Sequence, residues 1–348
     1  MSERCVLIRT LSISLCLGGL ATVAGLAAGG GDRLLQPVDD DSGWLLRLEP
    51  GRLEVEHAGR TTTLRLRRGE SMDTVAETSR GWIAAGGRET GDGARRLVLL
   101  ASDGVSSQRI TPPAASPSSI SLRPALLVEH GDLVGMAWLE GEEPRRLEVR
   151  AALWEGDAWG VPETVAGPAA GSQTALSGAV LADGSWLLAW SAYDGSDDEI
   201  LWSLRRGAAW TTPRRLHSAN EVPDITPALV ADGAGALLAW SRLQGDEYAS
   251  VLARFDGSRW SPERQVTGPG SFYPSFHRAS GRIHLLLRNA LPRGWAVLEL
   301  APGGEAQRHA LFPTASAARP AVSANGGGQV TLTWPGSARG TAPWERVR

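Results

Sequence analysis

Short apolar runs alternate along this chain with clusters of Gly, Pro, Asp and Ser, and the unit around Trp240 shows the pattern most clearly. Pro227 to Ala231 reads as a first, inner strand. Gly235 to Ser241 is almost wholly apolar, as expected of a strand buried on both faces. Ser250 to Phe255 reads as a third strand, with Val251, Ala253 and Phe255 on one face and Leu252 and Arg254 on the other. Trp260 to Val266 reads as a fourth, outer strand. The pairs Asp232-Gly233 and Asp256-Gly257 mark tight hairpin turns.

This unit is repeated. Trp138, Trp190 and Trp240 end the same apolar run at spacings of 52 and 50 residues. Trp159, Trp210 and Trp260 follow a Gly-containing turn at spacings of 51 and 50. A period near fifty with four short strands per unit predicts a β-propeller, an all-β fold. Pro124, Pro227, Pro274 and Pro320 stand at the expected start of an inner strand, and Pro162, Pro213 and Pro262 near the start of an outer one. Pro has no N–H to donate to a ladder, so both placements suit sheet edges.

Weaker copies extend the array over Asp73 to Pro112 and Phe272 to Pro313. Gly43 to Arg67 supplies two or three further strands and Ala318 to Trp334 two more. Joining these N- and C-terminal strands in one sheet completes a six-bladed ring and removes the open ends of the array. Five and seven blades are the alternatives. Thr111 to Ser121 reads as a long loop between blades.

Composition agrees with many turns and little helix: Gly 42, Pro 21 and 42% hydrophobic residues. Net charge is −3, every basic residue except His is Arg, and no basic stripe exists, which argues against a nucleic-acid partner. Residues 1–28 read as a signal peptide or N-terminal anchor, with Arg4 and Arg9 ahead of an apolar stretch from Leu11 to Leu26. Residues 29–42 then read as a linker and 43–348 as the propeller. A periplasmic or secreted location follows, with membrane attachment only through the N-terminal segment. Cys5 and Cys16 both lie in that segment, so the exported chain has neither a disulfide nor a thiol nucleophile.

The turn before each outer strand carries Gly156 and Trp159, Gly207 and Trp210, or Gly257 and Trp260. This resembles the Asp-box (BNR repeat) of the sialidase-like superfamily of six-bladed propellers. The Gly and Trp are kept, but Trp154, Arg205 and Phe255 stand where the motif has Asp. The resemblance implies ligand binding at the mouth of the central channel. Sialidases there use an Arg cluster on a sugar carboxylate, a Tyr nucleophile activated by Glu, and an Asp acid/base.

The starts of the inner strands offer Asp73, Arg123, Thr174, Asp224, Tyr273 and Arg319. Under the resemblance, Arg123 and Arg319 form the carboxylate clamp, with Thr174 beside them. Tyr273 is the nucleophile, Glu221 or Asp224 its base, and Asp73 the acid. Arg offers planar bidentate recognition of a carboxylate, and a carboxylate that takes the phenolic proton makes Tyr a nucleophile. A third Arg is left open among Arg278, Arg288 and Arg293. The Phe-Arg-Ile-Pro signature of that superfamily is absent. The competing reading makes these residues plain polar caps facing a water-filled channel, and it is the preferred one.

Three acidic loops stand out: Glu140, Glu142 and Glu143; Asp194, Asp197, Asp198 and Glu199; Asp246 and Glu247. They read as solvated surface, because DGSDDE lacks the ligand spacing of a known calcium loop. The six His have no metal-ligand spacing, so neither a metal nor a cofactor is expected. Trp186, Trp202 and Trp295 are less regular and are candidates for exposed, sugar-stacking indoles, and Trp344 in the tail is a candidate for closing the ring or binding a partner. The function expected is non-catalytic binding of a carbohydrate or an envelope protein at the channel mouth. A sialidase-like glycoside hydrolase and an envelope scaffold are the alternatives.

Overall fold

The computed structural model describes residues 33–35, 45–57 and 60–346, except positions 92, 117–118, 170, 218–219, 291, 315, 317, 326–328, 335–338 and 344. The chain is all-β in a six-bladed β-propeller arrangement, with no helix among the described residues. Six antiparallel sheets of four or five strands follow one another, spanning 33–65, 70–110, 120–166, 173–215, 224–265 and 271–313; a three-stranded sheet over 321–343 follows them. Within each blade the strands pair in chain order, and the first strands of the second to sixth blades adjoin one another around the centre.

Alternating apolar faces make each blade stick to the next. Leu46, Leu53 and Val55 of the first blade pack with Met72, Val75 and Trp82 of the second. Trp190 and Leu188 of the fourth pack with Leu139 and Val149 of the third. Trp240 and Phe255 of the fifth pack with Leu187, Ile200 and Leu204 of the fourth. The second strands carry the most deeply buried side chains: Trp82, Trp138, Trp190 and Trp240 are all at most 1% exposed. Each buried large side chain contributes roughly 1.5–3 kcal/mol, so the repeated Trp joins the buried Leu, Val and Ile in holding the blades together.

The Gly-x-x-Trp turn is part of the same construction. Gly156, Gly207 and Gly257 take φ of 98°, 60° and 97°, where a side chain is strained, and so allow the chain to fold back. The returning Trp pairs with the third strand at Trp154↔Trp159, Arg205↔Trp210 and Phe255↔Trp260. Its indole then reaches the preceding blade. Trp159 Nε1 donates to Thr111 O at 2.8 Å and Trp210 Nε1 to Glu163 Oε2 at 2.9 Å, while Trp260 meets Trp202 edge-on at 5.9 Å.

The ends of the chain depart from expectation. The N-terminal strands Arg33–Leu35, Leu45–Glu49, Arg52–His57 and Arg60–Arg65 make a complete sheet of their own. The first of them lies inside the segment read as a linker. The C-terminal strands Ala321–Asn325, Gln329–Thr333 and Arg339–Pro343 form a separate sheet, and Glu345–Arg346 adds to the outer edge of the sixth blade. No described strand of one terminus pairs with the other, so the expected mixed sheet is not formed there. The physical reason is strand supply, because Leu46, Leu53 and Val55 bury against the second blade without borrowing a strand.

Candidate functional site

In five blades the first strand carries an irregularity at the equivalent place. The ladder skips Asp73 between Met72↔Gly86 and Thr74↔Ala85, and Thr174 between Gln173↔Ala192 and Ala175↔Ser191. In the third, fifth and sixth blades it skips two residues against one: Arg123-Pro124, Thr226-Pro227 and Tyr273-Pro274. These are β-bulges, which re-aim a side chain and interrupt pairing. Pro cannot donate to the ladder, and the bulge excuses it. The prolines thus stand inside the inner strands, not at their first residues.

The residue before each of these prolines is held in a costly conformation. Arg123, Thr226 and Tyr273 have φ of 53°, 54° and 54°. A non-Gly residue there costs about 1–3 kcal/mol, and such strain clusters at functional sites. Surrounding contacts hold it in place. The Tyr273 N–H donates to Ser241 Oγ at 2.9 Å, and the same hydroxyl lies 2.9 Å from Thr226 Oγ1. One fully buried serine thereby links the bulges of two neighbouring blades.

The expected site residues divide into two groups. Arg123 and Tyr273 belong together: the guanidinium is close enough for its charge to act on the phenol. Their blades, the third and the sixth, are not neighbours in the chain order of the sheets. Burial raises the Tyr273 pKa and Arg123 opposes that rise. Among the described residues no carboxylate takes part in this shift. Asp73 is ion-paired with Arg95 at 2.8 Å, and the same guanidinium nitrogen donates to Ser71 Oγ at 3.0 Å. Thr174 Oγ1 donates weakly to Ser191 O at 3.4 Å. Arg319 Nη2 lies 3.3 Å from His277 Nε2, farther along the strand that carries Tyr273. Arg278 donates to Ala231 O at 2.7 Å and Arg288 to Ser316 O at 2.6 Å, so these two of the three further Arg candidates brace blades.

Asp224 and Glu221 lie elsewhere, and this corrects their assignment as bases for Tyr273. Asp224 is wholly buried. Its Oδ1 accepts from Trp240 Nε1 at 2.9 Å and Arg242 Nε at 2.8 Å, and its Oδ2 from Arg242 Nη2 at 2.8 Å and Asn220 Nδ2 at 2.9 Å. It is a structural carboxylate locked against the repeat Trp. The fifth blade presents Thr226 at the bulge instead. Alignment by X-Pro pairs, rather than by the first polar residue of a strand, would have found it. Glu221 is exposed and raises the pKa of Asp197, not that of Tyr273.

Two of the acidic loops are not solvated throughout. Glu140 is 7% exposed, accepting from Trp138 Nε1 at 2.6 Å and Ser116 N at 3.1 Å. In the fourth blade Asp197 is 7% and Glu199 1% exposed. Asp194, Asp197 and Glu199 each place a carboxylate oxygen within 4.8 Å of the others. Burial, then Asp194 and Asp224, push Asp197 up to about 6. The indoles of Trp186, Trp202 and Trp295 are buried, which removes them as stacking platforms; Trp344 lies outside the described residues.

No family model and no curated protein matches this chain. Solved structures share its fold at low identity. A polysaccharide lyase, Uly1, is 10% identical with a TM-score of 0.54, over 91% of this chain and 90% of its own. AofleA from Arthrobotrys oligospora is 8% identical with a TM-score of 0.53, over 82% and 87%. A puromycin-hydrolyzing peptidase of Mycobacterium tuberculosis is 13% identical with a TM-score of 0.55, over 91% of this chain; the chain spans only 53% of that peptidase. At these identities the likeness establishes the propeller fold and leaves function to the site.

Proposed function

We propose that this chain is a non-catalytic, glycan-binding propeller of the sialidase-like kind, exported from the cell, with its site at the channel mouth. The observation that carries this reading is the ring of bulges, where Arg123, Thr226 and Tyr273 are kept in strained backbone conformations. Strain of this kind persists only where surrounding structure enforces it, and here it falls on polar and aromatic residues of the inner strands. Phenol, hydroxyl and guanidinium groups suit a polyhydroxylated ligand, since each forms hydrogen bonds with hydroxyl or carboxylate oxygens. Tyr273 adds an aromatic face, packed edge-on against Phe272 at 4.9 Å. Export rests on the N-terminal segment.

The hydrolase alternative requires a carboxylate at the Tyr273 hydroxyl to lower its pKa. Burial acts in the opposite direction, which supports binding over turnover. A glycan array followed by calorimetry on the best hit tests the reading. Tyr273→Phe and Arg123→Ala should each weaken binding about tenfold, the scale of one or two lost hydrogen bonds in a buried site. A fluorogenic sialoside should show no turnover. Absence of any glycan binding, or unaltered affinity in both variants, sinks the proposal and leaves a protein partner as the occupant of the mouth.

A further inference from the structure

The strongest unassigned feature outside the bulge ring is the acidic turn of the fourth blade. The strand Trp186–Tyr193 is followed by Asp194, and the next strand, Asp198–Arg206, carries Glu199 near its start. The turn between them is closed by Asp194 N donating to Asp197 O at 3.0 Å. Asp194 Oδ1 also accepts from the N–H groups of Ser196 and Asp197, at 2.8 and 3.2 Å. This folds three carboxylates toward one point. The turn shares its end of the sheets with the connection from the fourth blade to the fifth.

An exposed acidic turn would need no ligand, since water solvates each carboxylate. Asp197 is different. Both of its carboxylate oxygens are buried, and neither has a hydrogen-bond partner among the described residues. A buried ionised carboxylate without a partner is costly, and native structures pair such charges or place a metal ion against them. The local charge is also out of balance. Arg215 is the cation at the cluster, 2.7 Å from Asp194 Oδ2 and 3.5 Å from Glu199 Oε1. Three carboxylates against one guanidinium leave an excess of two negative charges. The other nearby cation, Arg242, is committed to Asp224 and Glu263.

We infer that Asp194, Asp197 and Glu199 form a binding site for a divalent calcium ion. The donor chemistry fits, because hard cations prefer carboxylate and carbonyl oxygens. The dimensions fit as well. Oxygens on opposite sides of one calcium ion, each about 2.3–2.6 Å from it, are about 4.6–5.2 Å apart. The three carboxylate oxygens lie within 4.8 Å of one another. The ion would supply the partner that Asp197 lacks and cancel the charge that Arg215 leaves. Water and backbone carbonyls would complete the shell, as is common at calcium sites. The site joins the second-to-third-strand turn of the fourth blade to the approach of the fifth, since Glu199 Oε1 also accepts from Asn220 N at 3.1 Å. Calcium here would fasten two blades, and this holds whether or not the channel mouth takes a glycan.

Protein freed of metal with EDTA and then dialysed should bind one calcium ion per chain, saturably, in calorimetry near neutral pH. Its melting temperature should rise in millimolar calcium chloride, because a ligand of the native state stabilises it. Sodium chloride at the same ionic strength should not reproduce the rise. Asp197→Asn should lower calcium affinity at least about tenfold, since the charge of the ligand set governs it. The variant should keep its native circular dichroism in EDTA. Should Asp197→Asn fail to fold, terbium luminescence on the wild type replaces it, with Tyr193 as sensitiser and calcium as competitor. Three outcomes overturn the inference: no saturable binding by the wild type, a thermal shift that sodium chloride matches, or undiminished affinity in Asp197→Asn. Terbium emission that calcium does not displace counts against it equally.

Discussion

Removal of the Asp224 carboxylate would leave the Arg242 guanidinium and the Trp240 indole N–H facing a buried gap. Breaking one partner of a buried pair costs about 3–5 kcal/mol. Asp224→Ala should therefore lower unfolding stability by that amount in urea titrations, with Asp224→Asn intermediate. A residue acting as a base at the mouth would show the opposite pattern, with function lost and stability kept. The sequence marks Asp224 as polar at a strand entrance but not which way it points. That direction depends on Arg242, which lies across the strand pair at Asp224↔Arg242. Tyr273 and Arg123 were legible as residues, because each precedes a proline at an inner strand. Their approach to each other was not, since 150 residues and two blades separate them.

At the scale of the element, the inner-strand bulge is the unit that matters. Thr226 offers a direct test of its strain. Thr226→Gly and Thr226→Ala lose the same hydroxyl and the same bond to Ser241. They differ in the cost of a positive φ, which is about 1–2 kcal/mol for a residue with a Cβ. The Gly variant should be the more stable of the two by about that margin in chemical denaturation. Equal stabilities would mean that the bulge relaxes and stores no strain. The hairpins were readable because alternation and Asp-Gly turns are local signals. The bulges were only half readable. X-Pro pairs announced a break in the ladder, but the left-handed backbone before the proline contradicts the local preference for extended structure. At Tyr273 the neighbouring blade sustains it through Ser241.

At the scale of the molecule, stability should depend on two histidines of the sixth blade. His277 and His284 face each other across paired strands, 2% and 0% exposed. Burial lowers both pKa values: His284 falls to about 4, with Glu299 opposing and Arg308 and Arg282 adding to the shift, and His277 is lowered further by Arg319 and His284. An unfolded histidine takes its proton near pH 6.5, roughly its ordinary value. Below that pH the unfolded chain binds protons that the folded chain refuses, so stability is full above about 6.5 and falls toward about 4. For His284 the loss is roughly 3 kcal/mol across that window. Asp197 and Asp198, both raised to about 6, work in the other direction as they protonate. The measurement is therefore a difference: the melting temperature of the wild type minus that of His284→Leu, followed from neutral to acid. That difference should decline as the pH drops, and a flat line would refute the assignment.

Sequence alone determined the blade, because its period, its repeated Trp and its turn residues are local or nearly local features that physical chemistry reads directly. It also located the inner strands from which a site must be built. Tertiary structure decided what the chain cannot express locally. It kept the two ends in separate sheets, because the N-terminal strands bury their own apolar face against the second blade. It brought the charge of Arg123 to bear on Tyr273 and committed Asp224 to Arg242 and Trp240. It also buried Asp197 among its acidic neighbours. Charge, burial and partner are properties of neighbourhoods, and in a propeller every neighbourhood at the mouth is assembled from strands far apart in the chain.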